Sequence, residues 1–96
     1  MAVLADDEIR RRLATREGWE FTANTIVKKF ELPGFMDVVA LVNAVAGPAE
    51  AADHHPDMTI NYRRITFTLA THDQGGVTEK DFALLAEIEK AAAALA

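Results

Sequence analysis

Hydrophobic residues along the chain recur first at helical and later at alternating spacing, which divides the chain into predicted elements. Ile9 and Leu13, four positions apart, predict a short helix over residues 6–16 that ends near Gly18. A second helical pattern begins at Phe35. The apolar side of that helix is predicted to contain Phe35, Val38, Val39, Val42 and Ala46.

Gly47 and Pro48 interrupt the second helical pattern. Proline inside a helix costs about 3 kcal/mol or more, so this helix is expected to end, kink or restart at the pair. Farther along, Thr78 is followed three residues later by Asp81, which resembles a capping box that opens a last helix. Its apolar side is predicted to contain Leu84, Leu85, Ile88, Ala92 and Leu95.

Four segments have the composition of strands. WEFTANTIVKKFEL carries aromatic and β-branched residues around Ala23-Asn24, which predicts a hairpin turn there. DMTINY and RITFTLAT alternate apolar and polar residues, with Ile65, Phe67 and Leu69 on one side. The order α-β-β-α-β-β-α predicts an α+β fold, in which a four-stranded, mainly antiparallel sheet forms one layer and helices packed on one face form the other. Residues 1–96 are expected to form a single domain.

Composition narrows the classes of function. The formal net charge is −5, which disfavours a general nucleic-acid surface. The basic run Arg10-Arg11-Arg12 follows Asp6-Asp7-Glu8, an order that suits the dipole of a solvated helix. A sheet with one uncovered face and open edges favours self-association.

Neither cysteine-based sites nor targeting signals are evident in the sequence. There is no cysteine, and therefore no disulfide framework or thiolate metal site. The amino terminus, MAVLADDEIRRR, lacks the features of a signal peptide, and no apolar run approaches the roughly 20 residues that span a bilayer. A cytoplasmic protein without membrane contact is the expectation.

All three histidines lie close together in the sequence: His54 and His55 precede Pro56, and His72 ends a predicted strand. Three explanations are open. They are solvated loop residues, or they bind zinc, although neither i, i+2 nor i, i+4 ligand spacing is present. As a third explanation, they act as acid and base without a metal, because histidine exchanges protons near neutral pH. Spacing alone favours the solvated loop.

A longer pattern surrounds these histidines. It reads Glu50-x3-His54-His55-Pro56-x5-Tyr62-x9-His72-x8-Asp81. The pattern resembles the signature of the pterin-4a-carbinolamine dehydratases, also called 4a-hydroxytetrahydrobiopterin dehydratases. Blocks from GWEF to GGVTEKDFALLAEIE follow in the family's order, so the resemblance covers most of the chain. Gly47-Pro48 departs from the family's continuous helix, which puts the position of Glu50 in question.

The resemblance implies a reaction and residues for it. Family members dehydrate the carbinolamine left when an aromatic amino acid hydroxylase uses tetrahydrobiopterin, giving quinonoid dihydropterin and water. The pterin is the substrate, and neither a cofactor nor a metal is implied. By position, His54 and His72 are expected to be the proton-transfer pair, and His55 is expected to bind and orient the pterin. Further substrate contacts are expected from Pro56, Thr71, His72, Asp73 and Gln74.

Three other matched positions are Glu50, Asp81 and Tyr62. Glu50 matches a carboxylate that orients a histidine, although a solvated helix residue would look the same. Asp81 either orients a histidine or caps the last helix, with the cap favoured. Tyr62 is expected to pack rather than to catalyse.

The resemblance also implies partners. A homodimer or homotetramer is expected, as well as a contact with the pterin. The alternative function is a protein-binding module, because animal members of the family also act as dimerisation cofactors of a homeodomain transcription factor. The presence of all three histidines favours the enzyme, a hydro-lyase that supports tetrahydrobiopterin recycling.

Overall fold

The computed structural model describes residues 2–95 as three α-helices, four strands and one short 3₁₀ turn. In chain order these are α1 (Asp6–Leu13), β1 (Glu20–Thr22), β2 (Thr25–Glu31), α2 (Phe35–Ala52), β3 (Asp57–Asn61), β4 (Arg64–Leu69), the 3₁₀ turn (His72–Gln74) and α3 (Glu79–Leu95). The predicted α+β class and element order are confirmed. The first helix ends at Leu13, three residues before its predicted end. Met1 and Ala96, the ends of the predicted domain, lie outside the described residues.

The strands form one antiparallel sheet in the order β1-β2-β4-β3. The hairpin between β1 and β2 turns at Ala23 and Asn24, both with positive φ, and such two-residue turns match the twist of the flanking strands. The β3–β4 hairpin turns at Tyr62 and Arg63, because Asn61 and Arg64 form its last pair. Tyr62 has a φ of 55° and is 66% exposed, so the expectation that it packs is wrong for this chain.

The hydrophobic core lies between the sheet and the helices. Ile65, Phe67 and Leu69 of β4 are buried, as the alternation predicts. They join a cluster that also contains the buried hydrophobic residues of all three helices. In α3 the predicted apolar side is confirmed, with Leu84, Leu85 and Ile88 buried and Ala92 and Leu95 partly buried. This core fixes the positions of the strand ends and of the helix termini.

The buried side of α2 differs from the predicted one. The residues that enter the core are Val38, Leu41, Val45 and Ala49. Of the predicted side, Val38 is buried and Val42 is partly buried against the core. Val39 is partly buried, whereas Phe35 is 48% exposed and Ala46 is also exposed. The reason is that α2 is apolar on nearly every side, so that spacing alone allowed more than one face. Helix α2 is also long and apolar enough to cross a membrane, with a mean hydropathy of 1.3 over 18 residues, although no such segment was expected. The core helix of a soluble protein meets the same criterion.

Helix α2 continues through Gly47 and Pro48, so the expected break at this pair is wrong. Two features explain the continuity. The clash that a proline ring makes with the preceding residue involves the Cβ of that residue, which Gly47 lacks. The carbonyl left without a helical donor belongs to Ala44, which is exposed and can be solvated. Glu50 and the residues before His54 therefore keep a helical frame.

An ion pair joins α1 to the first turn of α3. The Arg12 guanidinium donates two hydrogen bonds to Glu79, at 2.7 and 2.8 Å. The hydrogen bond from Arg12 lowers the pKa of Glu79 below its ordinary value. A lowered pKa in the folded state means that the stabilisation is present above the unfolded pKa and is lost as the pH falls through the folded one. The pair is solvent-exposed, so its contribution is small and sensitive to salt.

Replacing Pro48 by alanine is expected to stabilise the protein, because the new N–H can donate to the carbonyl of Ala44. Proline destabilises a helix interior, but it also restricts the unfolded chain, which offsets part of this cost. The free energy of unfolding should therefore rise by about 1–2 kcal/mol in Pro48→Ala. Urea unfolding measures it. Pro33→Ala, outside the helices, is the matched control and should give no gain. A loss of stability in Pro48→Ala would contradict the account of α2.

Candidate active site

The end of α2 determines where His54 leaves the helix. Asp53 adopts the left-handed conformation, which aspartate tolerates better than most residues, and its N–H donates to the carbonyl of Glu50 at 3.1 Å. The N–H of His54 donates to the carbonyl of Ala49 at 3.0 Å. These two bonds are those of a Schellman motif, which ends the helix and sets the direction of the chain beyond it.

His54 contacts a buried carboxylate of α3. Its Nε2 lies 2.6 Å from Oδ1 of Asp81, which is fully buried in the first turn of α3. The other oxygen of that carboxylate, Oδ2, accepts from the Thr71 hydroxyl at 2.8 Å and from the Thr78 N–H at 2.9 Å. The bond to Thr78 is one half of the predicted capping box. Asp81 therefore caps α3 and also holds His54, two roles that the sequence left as alternatives.

The contact with Asp81 favours one tautomer of His54. An ionised carboxylate only accepts hydrogen bonds, so Nε2 of His54 must carry the proton that lies between the two residues. Its Nδ1 has no hydrogen-bond partner among residues 2–95, and no buried side-chain nitrogen or oxygen there lacks one. Nδ1 therefore reaches solvent, although the side chain is only 11% exposed. A held imidazole with one open nitrogen can accept or donate a proton there.

His55 points away from His54 and joins a different surface. Its Nε2 lies 2.7 Å from Oε1 of Glu50, and both side chains are largely exposed. They border a cavity of about 460 Å³ between α2 and β3 whose walls are mostly apolar. Its other lining residues are Val45, Ala46, Gly47, Ala49, Pro56 and Met58. This volume is within the range of small-molecule sites.

The β3–β4 hairpin brings His72 to the same end of the sheet as the His54-His55 segment. Asp57, which begins β3, pairs with Thr68 near the end of β4, and Nε2 of His72 lies 3.9 Å from Oδ2 of Asp57. His72 begins the 3₁₀ turn rather than ending a strand, and it is largely exposed. The structure thus places the two predicted segments together at the open end of the hairpin.

The strip from Thr71 to Gln74 divides into a buried and an exposed part. Thr71 is buried, its N–H donates to Gly76, and its carbonyl accepts from Gln74 and Gly75. His72, Asp73 and Gln74 are exposed beside it. Three of the four predicted positions are therefore open to a ligand, whereas Thr71 is engaged within the chain.

One contact in the site was not evident from the sequence. The hydroxyls of Thr71 and Thr78 lie 2.7 Å apart and connect to Asp81, a contact that residue spacing does not reveal. The capping pattern was the only signal for Thr78.

Within residues 2–95, no group of three or more histidine, aspartate or glutamate side chains is arranged to hold a metal ion.

Comparison with known proteins gives concordant matches. The family model described as pterin 4 alpha carbinolamine dehydratase matches residues 2–91. A protein of Roseiflexus castenholzii, provisionally named pterin-4-alpha-carbinolamine dehydratase, is 49% identical over 89 residues, covering 93% of this chain and 96% of its own.

Two solved structures resemble the chain. The transcriptional coactivator/pterin dehydratase from Brucella melitensis superposes with a TM-score of 0.90 at 30% identity, covering 94% of this chain and 98% of its own. A pterin dehydratase-like protein, identified as a RuBisCO assembly factor in the alpha-carboxysome, gives 0.63 at 19% identity over 77% and 86% of the two chains, which shows likeness of fold alone. By its family match and its relatives, the chain belongs to the pterin 4 alpha carbinolamine dehydratase family.

Proposed function

We propose that the protein is a 4a-hydroxytetrahydrobiopterin dehydratase that converts the carbinolamine to quinonoid dihydropterin and water. The observation that supports it most is His54, held by a buried carboxylate with Nδ1 open, at the end of the hairpin where His72 is also exposed. Family membership supplies the substrate class. The reaction supports recycling of tetrahydrobiopterin.

The reaction needs one group that accepts a proton and one that donates a proton. The ring nitrogen next to carbon 4a loses its proton as its electrons form the new double bond, and the hydroxyl on that carbon leaves as water after it is protonated. His54 suits the base, because Asp81 stabilises the imidazolium formed when Nδ1 takes the proton. His72, protonated before the step, is then the acid. The proton count is balanced, since one histidine gains the proton equivalent that the other loses.

In this proposal, residues next to His54 and His72 bind the pterin. Glu50 holds His55 at the border of the apolar cavity, where its ring can orient a planar ligand. Pro56 also lines this cavity, and Asp73 and Gln74 are exposed beside His72 and available to a ligand there. In this proposal the chemistry uses side chains and the pterin alone, without metal or cofactor.

A homo-oligomer is the second part of the proposal. Strand β3 is an edge of the sheet and all five of its residues are exposed. Met58 and Ile60 pair with Phe67 and Ile65, so they lie on the face of the sheet that carries the helices, yet they are 42% and 45% exposed. An unpaired edge with apolar side chains favours pairing with another strand. A second copy of the chain can supply that strand as a homodimer, or within a homotetramer.

A protein-binding role is the alternative, and the same apolar edge supports it. The Brucella melitensis relative is described as a coactivator as well as a dehydratase. This role would use the surface of β3 rather than the histidines. Activity measurements on histidine variants therefore separate the two functions.

The histidine variants should differ in kind. His54→Ala and His72→Ala are expected to lower kcat by about 10²–10⁴-fold with a smaller effect on KM, because proton transfer is made in the transition state. His55→Ala should instead raise KM. The double variant of His54 and His72 should lose less than the product of the single losses, since both act in one step. Steady-state assays on freshly generated 4a-hydroxytetrahydropterin measure these values.

The controls for this assay lie outside the site. Lys90→Ala, on the exposed side of α3, should leave both constants unchanged. Near-normal kcat in His72→Ala, or multiplicative losses in the double variant, would contradict the assignment of the pair. No dehydration above the uncatalysed rate by the wild type would favour the protein-binding alternative.

The oligomer is tested by sedimentation velocity at micromolar concentration. The wild type should sediment as a dimer or tetramer, and Ile60→Lys should sediment as a monomer because it places a charge in the apolar contact. Thr59→Lys puts the same charge on the same strand but on its other face, so it should retain the oligomer. A monomeric wild type would contradict this part of the proposal.

A further inference from the structure

A cluster of three buried polar residues lies behind His54. Among the described residues, Thr71, Thr78 and Asp81 are the buried polar or charged ones, at 4%, 0% and 0% exposure. Burying a carboxylate and two hydroxyls is costly unless each finds hydrogen-bond partners. Every buried side-chain nitrogen and oxygen in residues 2–95 does have a partner.

The direction of each hydrogen bond in this cluster follows from the number of protons. The Thr71 hydroxyl has one proton and donates it to Oδ2 of Asp81 at 2.8 Å. The 2.7 Å bond between the two hydroxyls must then be donated by Thr78. The oxygen of Thr78 in turn accepts from the N–H of Lys80 at 3.2 Å. The bonds thus form a chain with a single direction that ends on the carboxylate, and such chains strengthen by polarisation.

This chain leaves one oxygen of Asp81 for His54. Oδ2 already accepts from the Thr71 hydroxyl and the Thr78 N–H, which together fix the plane of the carboxylate. Oδ1 then faces His54 at 2.6 Å and can only accept.

We propose that the hydroxyls of Thr71 and Thr78 are positioning groups that hold Asp81 in place and thereby keep His54 in the tautomer with the proton on Nε2. Neither hydroxyl touches the substrate in this proposal. The effect on turnover rests on the proposed dehydratase function, whereas the effect on the tautomer does not.

Helix capping accounts for only part of the cluster. The cap needs Thr78, whose oxygen accepts from Lys80 and whose N–H donates to Asp81. Thr71 lies before the 3₁₀ turn, outside α3, and bonds to no N–H of that helix's first turn through its hydroxyl. Its hydroxyl therefore provides a test of positioning that does not remove the cap.

The test compares Thr71→Val, which keeps the shape but removes the hydroxyl, with Thr71→Ser, which keeps the hydroxyl. Long-range ¹H–¹⁵N spectra of the histidine rings, recorded near pH 8.5 where unperturbed imidazoles are neutral, distinguish the two tautomers. The spectrum has only three histidines to assign. His54 should show the Nε2–H form in the wild type and in Thr71→Ser. In Thr71→Val the ratio of Nε2–H to Nδ1–H should fall at least about fivefold, because the Thr78 N–H alone no longer fixes the plane of the carboxylate and Oδ1 is not held facing Nε2.

Several outcomes would overturn the inference. One is a wild-type His54 protonated on Nδ1, a result that needs no variant. Another is an unchanged tautomer in folded Thr71→Val, which would leave the hydroxyl with a structural role only, whatever the melting temperature. If Thr71→Val does not fold, Thr71→Ala removes the hydroxyl without adding bulk and takes its place.

Turnover provides a separate readout. If the protein is a dehydratase, Thr71→Val should lower kcat about tenfold with little change in KM, and Thr71→Ser should restore most of it. An inactive wild type with the expected tautomer change would refute the dehydratase function and leave the positioning role intact. An active wild type whose His54 tautomer does not change in Thr71→Val would support the dehydratase function and refute the positioning role.

Discussion

The buried carboxylate of Asp81 is the interaction on which the site depends. It accepts hydrogen bonds from three groups that come from three parts of the chain: the Thr71 hydroxyl after β4, the Thr78 N–H before α3, and Nε2 of His54 after α2. An ionised group without solvent needs such donors, and removing any of them leaves part of its desolvation cost uncompensated. One carboxylate therefore fixes the relative positions of a helix start, a strand end and a histidine.

The rest of the fold keeps these three parts in register. The core between α2, α3 and β4 holds the helix ends in place, and the Schellman motif at Asp53 turns His54 inward while His55 continues outward to Glu50. The adjacent histidines consequently have different environments. One is held by a buried charge and suits proton transfer, whereas the other is exposed beside an apolar cavity and suits binding.

Much of the fold could be predicted from local patterns. Alternation predicted the buried side of β4, Ala23-Asn24 predicted the first hairpin, and Thr78 with Asp81 predicted the start of α3. The errors fall where local patterns are ambiguous. The apolar surface of α2 surrounds the helix, so its buried side depends on tertiary packing. The helix also continues through Pro48, a position that propensity alone assigns to a break.

Residue spacing predicted less of the site than of the fold. His54 and Asp81 are 27 residues apart, and only the family resemblance linked them before the structure. The resemblance gave the positions of the histidines and their expected roles, but not that Asp81 contacts His54 while Glu50 contacts His55. The two threonine hydroxyls left no signal beyond the cap, because side-chain hydrogen bonds across a core follow from the fold and not from sequence neighbours.

We propose that His54 and His72 act on one pterin at the open end of the β3–β4 hairpin. A titration with 7,8-dihydrobiopterin, a reduced pterin that has no hydroxyl at carbon 4a to lose, tests it most directly when the histidine ring signals are followed by NMR. The His54 and His72 signals should shift together and saturate with the same Kd. Shifts confined to one of the two, or saturation at clearly different concentrations, would contradict it.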